Sequence, residues 1–149
     1  MTTVALADDH TLIRTALASL VEVFGYKVLF EVSDGQECME KISSGLVPDI
    51  LLLDIKMPRK DGHETAAWLK EHHPDIKIVV LTMCDDETAI LRMVNTGINA
   101  YVVKGDSPSE LRQALQDVQA HGYRDALFEK FNAKNRIELV MRAQEMGYL

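Results

Sequence analysis

The sequence has little cysteine and no long apolar run. Its two cysteines, Cys38 and Cys84, fit no zinc-binding spacing and suggest no disulfide framework, so reduced thiols are expected. No apolar run approaches the roughly 20 residues that a membrane-spanning helix needs. Residues 1–4 lack the basic region and the apolar core of a signal peptide. These absences together predict a cytoplasmic protein.

Basic residues are in the minority, with 16 Lys and Arg against 23 Asp and Glu and a formal net charge of −7. This balance argues against a broad surface for the phosphate backbone of nucleic acids, although a local basic contact stays open. The hydrophobic fraction of 47% and the charged fraction of 26% are typical of a globular protein. A chain of 149 residues is long enough for one domain with a single core.

What the sequence does have is a regular alternation of short apolar segments and segments with helical periodicity. The apolar segments predict five strands, at residues 3–7, 27–32, 50–53, 76–81 and 99–103. Each is followed by a predicted helix, and the helices carry these apolar residues: Ile13, Ala16, Leu17, Leu20, Val21 and Phe24; Cys38, Met39 and Ile42; Ala66, Ala67, Trp68 and Leu69; Ile90, Leu91 and Val94; Leu111, Ala114, Leu115 and Val118. Five such units predict an α/β fold with a five-stranded parallel sheet, helices on both faces and the flavodoxin-like strand order 2-1-3-4-5.

Polar residues stand where several predicted strands end. Asp8 and Asp9 follow the first strand, and Asp54 follows the unbroken apolar run of the third. Because the first and third strands are neighbours in the predicted order, these three carboxylates meet at one edge of the sheet. Their mutual repulsion is unfavourable, and a bound Mg²⁺ relieves it.

Two further strand ends add a cation and a hydroxyl to this edge. Thr82 ends the fourth predicted strand and Lys104 follows the fifth. Lys104 and Thr82 beside Asp54 suit an anionic, oxygen-rich group. A carboxylate nucleophile, Mg²⁺, a lysine and a hydroxyl together predict phosphoryl transfer with an aspartyl-phosphate product.

Four motifs occur in order at these strand ends. They are Ala7-Asp8-Asp9-His10, Leu53-Asp54-Ile55-Lys56-Met57-Pro58 with Asp61-Gly62, Leu81-Thr82-Met83, and Gly97-Ile98-Asn99-Ala100-Tyr101-Val102-Val103-Lys104. In this combination the chain resembles the receiver domain of bacterial two-component response regulators, over residues 2 to about 122.

The resemblance implies a role for each matching residue. Asp54 would accept a phosphoryl group from a sensor histidine kinase or phosphotransfer protein, and the chain would be a signalling protein, not an enzyme. Asp8, Asp9, Asp54 and the main-chain carbonyl of Lys56 would hold Mg²⁺. Lys104 would contact the phosphoryl oxygens. Thr82 would hydrogen-bond one of them, with Tyr101 as the aromatic that turns inward behind it.

Simpler interpretations exist for single residues. An aspartate after a strand is often a turn former or a helix cap, and this holds for Asp8 and Asp54 taken alone. Tyr101 near a strand end is also explained as half-buried core. For His10, a polar residue at a helix start is the favoured interpretation.

Two other classes of protein share parts of this pattern. A hydrolase of the haloacid-dehalogenase type would need a second aspartate at position 56, where the sequence has Lys56. A flavin-binding protein of the flavodoxin type would need a Ser/Thr/Gly-rich loop after the first strand, and Asp8-Asp9 would repel a flavin phosphate. The sequence therefore argues against both.

The sequence predicts two parts: a receiver domain at 1–122 and a helical tail at 123–149. The chain resembles receivers attached to LuxR-type helix-turn-helix domains, and residues 131–147 resemble the last helix of such a domain. The segments that would read the major groove are missing, which predicts a truncated or internally deleted DNA-binding domain and no DNA binding by this chain. Alternatively, an intact-family role as a DNA-binding transcription regulator acting through dimerisation stays open. Apolar residues such as Phe128 and Phe131 favour docking on the receiver or pairing in a homodimer.

Overall fold

The computed structural model describes residues 1–83, 87–105 and 107–120. In chain order the elements are β1 (Thr3–Ala7), α1 (Thr11–Val23), β2 (Lys27–Val32), α2 (Gly35–Ser43), β3 (Ile50–Asp54), α3 (Gly62–His72), β4 (Lys77–Thr82), α4 (Glu87–Thr96), β5 (Ala100–Val103) and α5 (Pro108–Ala120). The predicted tail at 123–149 and Cys84 lie outside the described residues. None of the helices in the described part of the chain is long and apolar enough to cross a membrane.

The five strands form one parallel sheet in the order β2-β1-β3-β4-β5, which confirms the predicted fold class. The central strand β3 is buried along its whole length because helices cover both of its faces. Its register with β4 pairs Asp54 with Leu81, and that of β4 with β5 pairs Thr82 with Val103. The register thus brings the ends of three strands to one edge.

Alternating side chains of the strands divide the core into two layers. On one face, β-strand residues pack against α2, α3 and α4, and on the other they pack against α1 and α5. Fully buried residues of the first layer include Leu51, Leu53 and Tyr101, and those of the second include Leu6 and Leu52. The helices thereby leave the carboxyl edge of the sheet free of an apolar cover.

Several predicted details differ in the structure. Met39 is only partly buried and Ala16 and Ala67 are exposed, because each lies to one side of the stripe that its helix turns toward the sheet. The fourth strand begins at Lys77 and the fifth at Ala100, one residue later than predicted in each case. These differences shift no residue of the predicted site.

Candidate functional site

Asp54 is the last residue of β3, and its side chain is 5% exposed. The loop that follows folds back on the strand end. Gly62 donates its N–H to the carbonyl of Ile55 at 2.8 Å. A Cβ at position 62 would lie 2.2 Å from the main-chain oxygen of Asp54, so this close approach requires glycine. The loop therefore packs directly on the main chain at the end of β3.

Asp8 follows β1 and is completely buried. Its N–H donates to the carbonyl of Val32 at 3.0 Å, which continues the pairing of β1 with β2 by one residue. The guanidinium of Arg14, on the first turns of α1, donates to the main-chain oxygen of Asp8 at 2.8 Å. The N–H of His10 donates to Asp8 Oδ1, also at 2.8 Å. The position of this carboxylate is therefore fixed from both its main chain and its side chain.

Lys104 follows β5 and joins the two buried carboxylates. Its Nζ lies 2.8 Å from Asp8 Oδ2 and 3.0 Å from Asp54 Oδ2, and the lysine side chain is 2% exposed. Its N–H donates to the carbonyl of Thr82 at 2.6 Å, which ties the ends of β4 and β5 together. Strands β1, β3 and β5 thus each contribute one charged group to a single cluster.

The cluster carries more negative than positive charge. Burial raises the pKa of Asp54 to about 6; the Lys104 ammonium acts in the opposite direction, and the Asp8 carboxylate raises the pKa further. Asp9 adds a third carboxylate, with its side chain 37% exposed. Three carboxylates against one ammonium leave an excess of oxygen ligands. This donor set fits a hard divalent cation such as Mg²⁺.

His10 lies within the same cluster. It is the N-cap residue of α1, which agrees with its predicted place, but its side chain makes no capping hydrogen bond. One ligand atom each from Asp8, Asp9, His10 and Asp54 lie within 4.8 Å of one another. The ring therefore faces the carboxylates, which the sequence interpretation of His10 did not include.

A cavity of about 290 Å³ opens beside Asp54. Its lining includes five polar residues: Asp9, His10, Asp54, Lys56 and Thr82. Among the predicted site residues, Lys56 and Thr82 therefore border the same space as the carboxylates. The cavity is large enough to hold a small anionic group beside Asp54.

Tyr101 lies apart from this cavity as far as the described residues define it. The side chain is 1% exposed and belongs to the core layer beneath α4. In the register of β4 and β5, Tyr101 pairs with Val80, two residues before Thr82. Tyr101, the aromatic predicted to turn inward, is therefore already buried, and it lies on the strand next to that of Thr82.

Two arginines near the site were not predicted. Arg14 also approaches Glu31, with Nε 3.5 Å from Oε1, and so spans the ends of β1 and β2. Arg59 has a left-handed backbone (φ +63°), and its Nε donates to Asp34 Oδ2 at 2.8 Å, which ties the loop after β3 to the start of α2. A charged residue beside the apolar stripe of α1 was a signal for Arg14. No local pattern indicated Arg59, because its partner lies 25 positions away.

Comparison with known proteins now defines the class of this protein. The chain belongs to the response regulator receiver domain family, whose sequence model matches residues 4–116. It is therefore a receiver domain of a two-component response regulator. Phosphorylation and Mg²⁺ binding are typical of this family.

Among individual relatives, the chain is similar to the response regulator GacA of Pseudomonas aeruginosa, with 36% identity over 121 residues that cover 80% of this chain and 56% of GacA. The chain thus spans about half the length of the curated relatives it matches. A LuxR-family DNA-binding response regulator from Staphylococcus aureus superposes with a TM-score of 0.74 at 28% identity, covering 79% of this chain and 98% of that one. The isolated receiver domain of RcsB from Salmonella enterica serovar Typhimurium, in the presence of the phosphomimetic BeF₃⁻, gives 0.74 at 26% identity, covering 80% and 88%. The predicted similarity to LuxR-type receivers is confirmed.

Proposed function

We propose that this chain accepts a phosphoryl group on Asp54 from the phosphohistidine of a sensor histidine kinase or phosphotransfer protein. One observation carries the choice of residue. Asp54 both contacts the Lys104 ammonium, at 3.0 Å, and borders the open cavity. Asp8 contacts the same ammonium but is fully buried, and Asp9 borders the cavity at the exposed side of the cluster. Asp54 combines the access and the charge partner that a nucleophile needs.

The transfer exchanges one bond to phosphorus for another. A carboxylate oxygen of Asp54 attacks the phosphorus, and a P–O bond forms as the P–N bond to the donor imidazole breaks. The imidazole leaves with the electron pair of that bond and takes a proton from water. With a pKa of about 6, Asp54 is mostly ionised at neutral pH and is therefore competent as the nucleophile.

Three groups assist this step. Asp8, Asp9, Asp54 and the main-chain carbonyl of Lys56 would hold Mg²⁺, which when bound neutralises charge on the phosphoryl oxygens. Lys104 would contact the phosphoryl oxygens, and the Thr82 hydroxyl would donate to one of them. The burial of Lys104 strengthens its attraction for the added charge, because few water molecules screen it.

Phosphorylation would act as a switch through the ends of β4 and β5. The phosphoryl group adds about −1.5 to −2 charges, which favours the conformers in which Thr82 and Lys104 point toward it. Tyr101 on β5 would respond to the movement of Thr82, and the surface formed by α4, β5 and α5 would change its affinity for partners. Those partners include a possible second copy of this chain.

The output of the switch is proposed from the family alone. We take 1–122 as the receiver and 123–149 as a separate tail, in a cytoplasmic signalling protein whose role is not enzymatic turnover. We do not assign DNA binding to this chain, although its relatives include a regulator described as DNA-binding. A gel-shift assay against its native promoter region tests this point, and a sequence-specific shift would contradict it.

Acetyl phosphate with Mg²⁺, followed by intact-mass measurement, tests the central proposal. The wild type is expected to gain one phosphoryl group, and Asp54→Asn is expected to gain none. Asp49→Asn is the matched control, because Asp49 lies at the opposite edge of the sheet, where it accepts hydrogen bonds from Thr3. Absence of phosphate on the wild type, or its retention on Asp54→Asn, contradicts the proposal. Steady release of phosphate over many turnovers would instead indicate a phosphohydrolase.

A further inference from the structure

The ring of His10 lies at the point where the site carboxylates converge. Its Nδ1 is 3.1 Å from Asp8 Oδ1, 3.4 Å from Asp9 Oδ1 and 3.7 Å from Asp54 Oδ2. The side chain is 47% exposed and lines the cavity. This nitrogen therefore lies within reach of a cation that the three carboxylates would bind.

The ammonium of Lys104 contacts the same groups as the His10 ring. Its Nζ lies 2.8 Å from Asp8 Oδ2, 3.0 Å from Asp54 Oδ2 and 3.0 Å from His10 Nδ1. Two carboxylate oxygens and one imidazole nitrogen thus surround the same positive charge. In the tautomer with an unprotonated Nδ1, the imidazole can offer its lone pair to a cation beside these oxygens.

We propose that His10 Nδ1 is a metal ligand, and that the site therefore binds nitrogen-preferring divalent transition ions, such as Ni²⁺ and Co²⁺, in addition to Mg²⁺. Mg²⁺ prefers oxygen ligands and gains little from an imidazole, whereas Ni²⁺ and Co²⁺ bind imidazole well. The inference rests on the proposed function, because it concerns the metal of the same site. It adds that residue 10 sets which metals the site selects.

Calorimetric titration of the metal-free chain with MgCl₂ and with NiCl₂ tests the proposal in wild type and His10→Asn. Asparagine is a favoured N-cap residue and the main-chain N–H to Asp8 is kept, so the variant is expected to fold. The Ni²⁺ affinity is expected to fall about tenfold or more, which is the scale of loss when groups that support a metal site are removed. The Mg²⁺ affinity is expected to stay within about twofold, since an oxygen-preferring ion does not use the imidazole.

His72→Asn is the matched control. His72 is exposed on α3, where its Nδ1 lies 3.0 Å from the carbonyl of Trp68, and it neighbours His73. Adventitious Ni²⁺ binding at such surface imidazoles would respond to this variant and not to His10→Asn. In a second readout, the ¹⁵N resonance of His10 Nδ1 is expected to shift on addition of Zn²⁺, a diamagnetic ion, and to move little with Mg²⁺.

Three outcomes would overturn the inference: an unchanged Ni²⁺ affinity in His10→Asn, equal losses for Ni²⁺ and Mg²⁺, or an unshifted His10 Nδ1 resonance with Zn²⁺. Equal losses would mean that His10 only shapes the loop that carries Asp8 and Asp9. These failures are distinguishable from failure of the proposed function. If the wild type gains phosphate with Mg²⁺ and only the Ni²⁺ result fails, Asp54 keeps its role and His10 loses the one proposed here.

Discussion

Polar side chains at the two edges of the sheet have different kinds of partner. At the amino edge, Asp49 and Asn99 bond to neighbouring N–H and hydroxyl groups. Asp49 accepts from the N–H and the hydroxyl of Thr3, at 2.9 and 3.1 Å. The buried Asn99 accepts from the N–H of Ile78 at 2.9 Å, and its own N–H donates to the Ile78 carbonyl at the same distance. These polar groups complete the sheet, and their bonds are satisfied within it.

At the carboxyl edge, charged side chains face one another instead. Asp8 and Asp54 share the ammonium of Lys104, and Asp9 and His10 lie beside them. The positive charge available is smaller than the negative charge, so an additional cation or a proton would relieve the repulsion. Burial alone therefore does not distinguish the two edges, whereas an excess of one charge among buried groups does.

The strongest test of this contrast is Lys104→Met, which removes the shared cation. Two buried carboxylates then lose their partner, and breaking such a pair costs about 3 to 5 kcal/mol of unfolding free energy. Urea denaturation with a chelator present measures the loss, and added Mg²⁺ is expected to restore part of it. Lys77→Met, at the amino end of β4, is the control and should change stability little. A Lys104→Met variant as stable as the wild type would show that the ammonium does not stabilise the two buried carboxylates.

Asn99→Ala tests the opposite edge. The buried N–H of Ile78 would lose its acceptor, and an unsatisfied buried donor costs about 1 to 3 kcal/mol. The folded variant is expected to accept phosphate on Asp54 at the wild-type level, because the amino edge takes no part in the site. Urea denaturation and intact-mass measurement check the two halves of this prediction. A clear loss of phosphorylation in a folded Asn99→Ala protein would mean that the two edges are coupled.

A third test concerns the pH dependence of stability through Asp54. Its pKa in the folded chain, about 6, lies above the ordinary value of 3.8, so the folded state holds this proton more tightly than the unfolded state. The ionised carboxylate therefore destabilises the fold progressively as the pH rises from about 4 to about 6. Asp54→Asn removes this loss. Without divalent cations, the melting temperature of the variant should rise above that of the wild type by several degrees across that window. A constant difference at every pH would contradict the shift.

The residues at the strand ends could be predicted from the sequence, because the alternation of elements fixes which ends meet. Asp8, Asp54, Thr82 and Lys104 follow from that register without knowledge of any side-chain conformation. The ring orientation of His10 could not be predicted, since its local pattern is equally that of a helix start. The ion pair of Arg59 with Asp34 depends on a left-handed loop residue and a distant partner, and neither leaves a periodic signal. The topology could therefore be predicted from the sequence, whereas contacts that depend on single side-chain rotamers could not.

The hydrogen bond from the N–H of Lys104 to the carbonyl of Thr82, at 2.6 Å, has a mechanical consequence. It joins the main chain at the end of β4 directly to the main chain that follows β5. Under the proposed switch, a displacement of the main chain at Thr82 is therefore expected to be shared by Lys104 without any rearrangement of the core side chains.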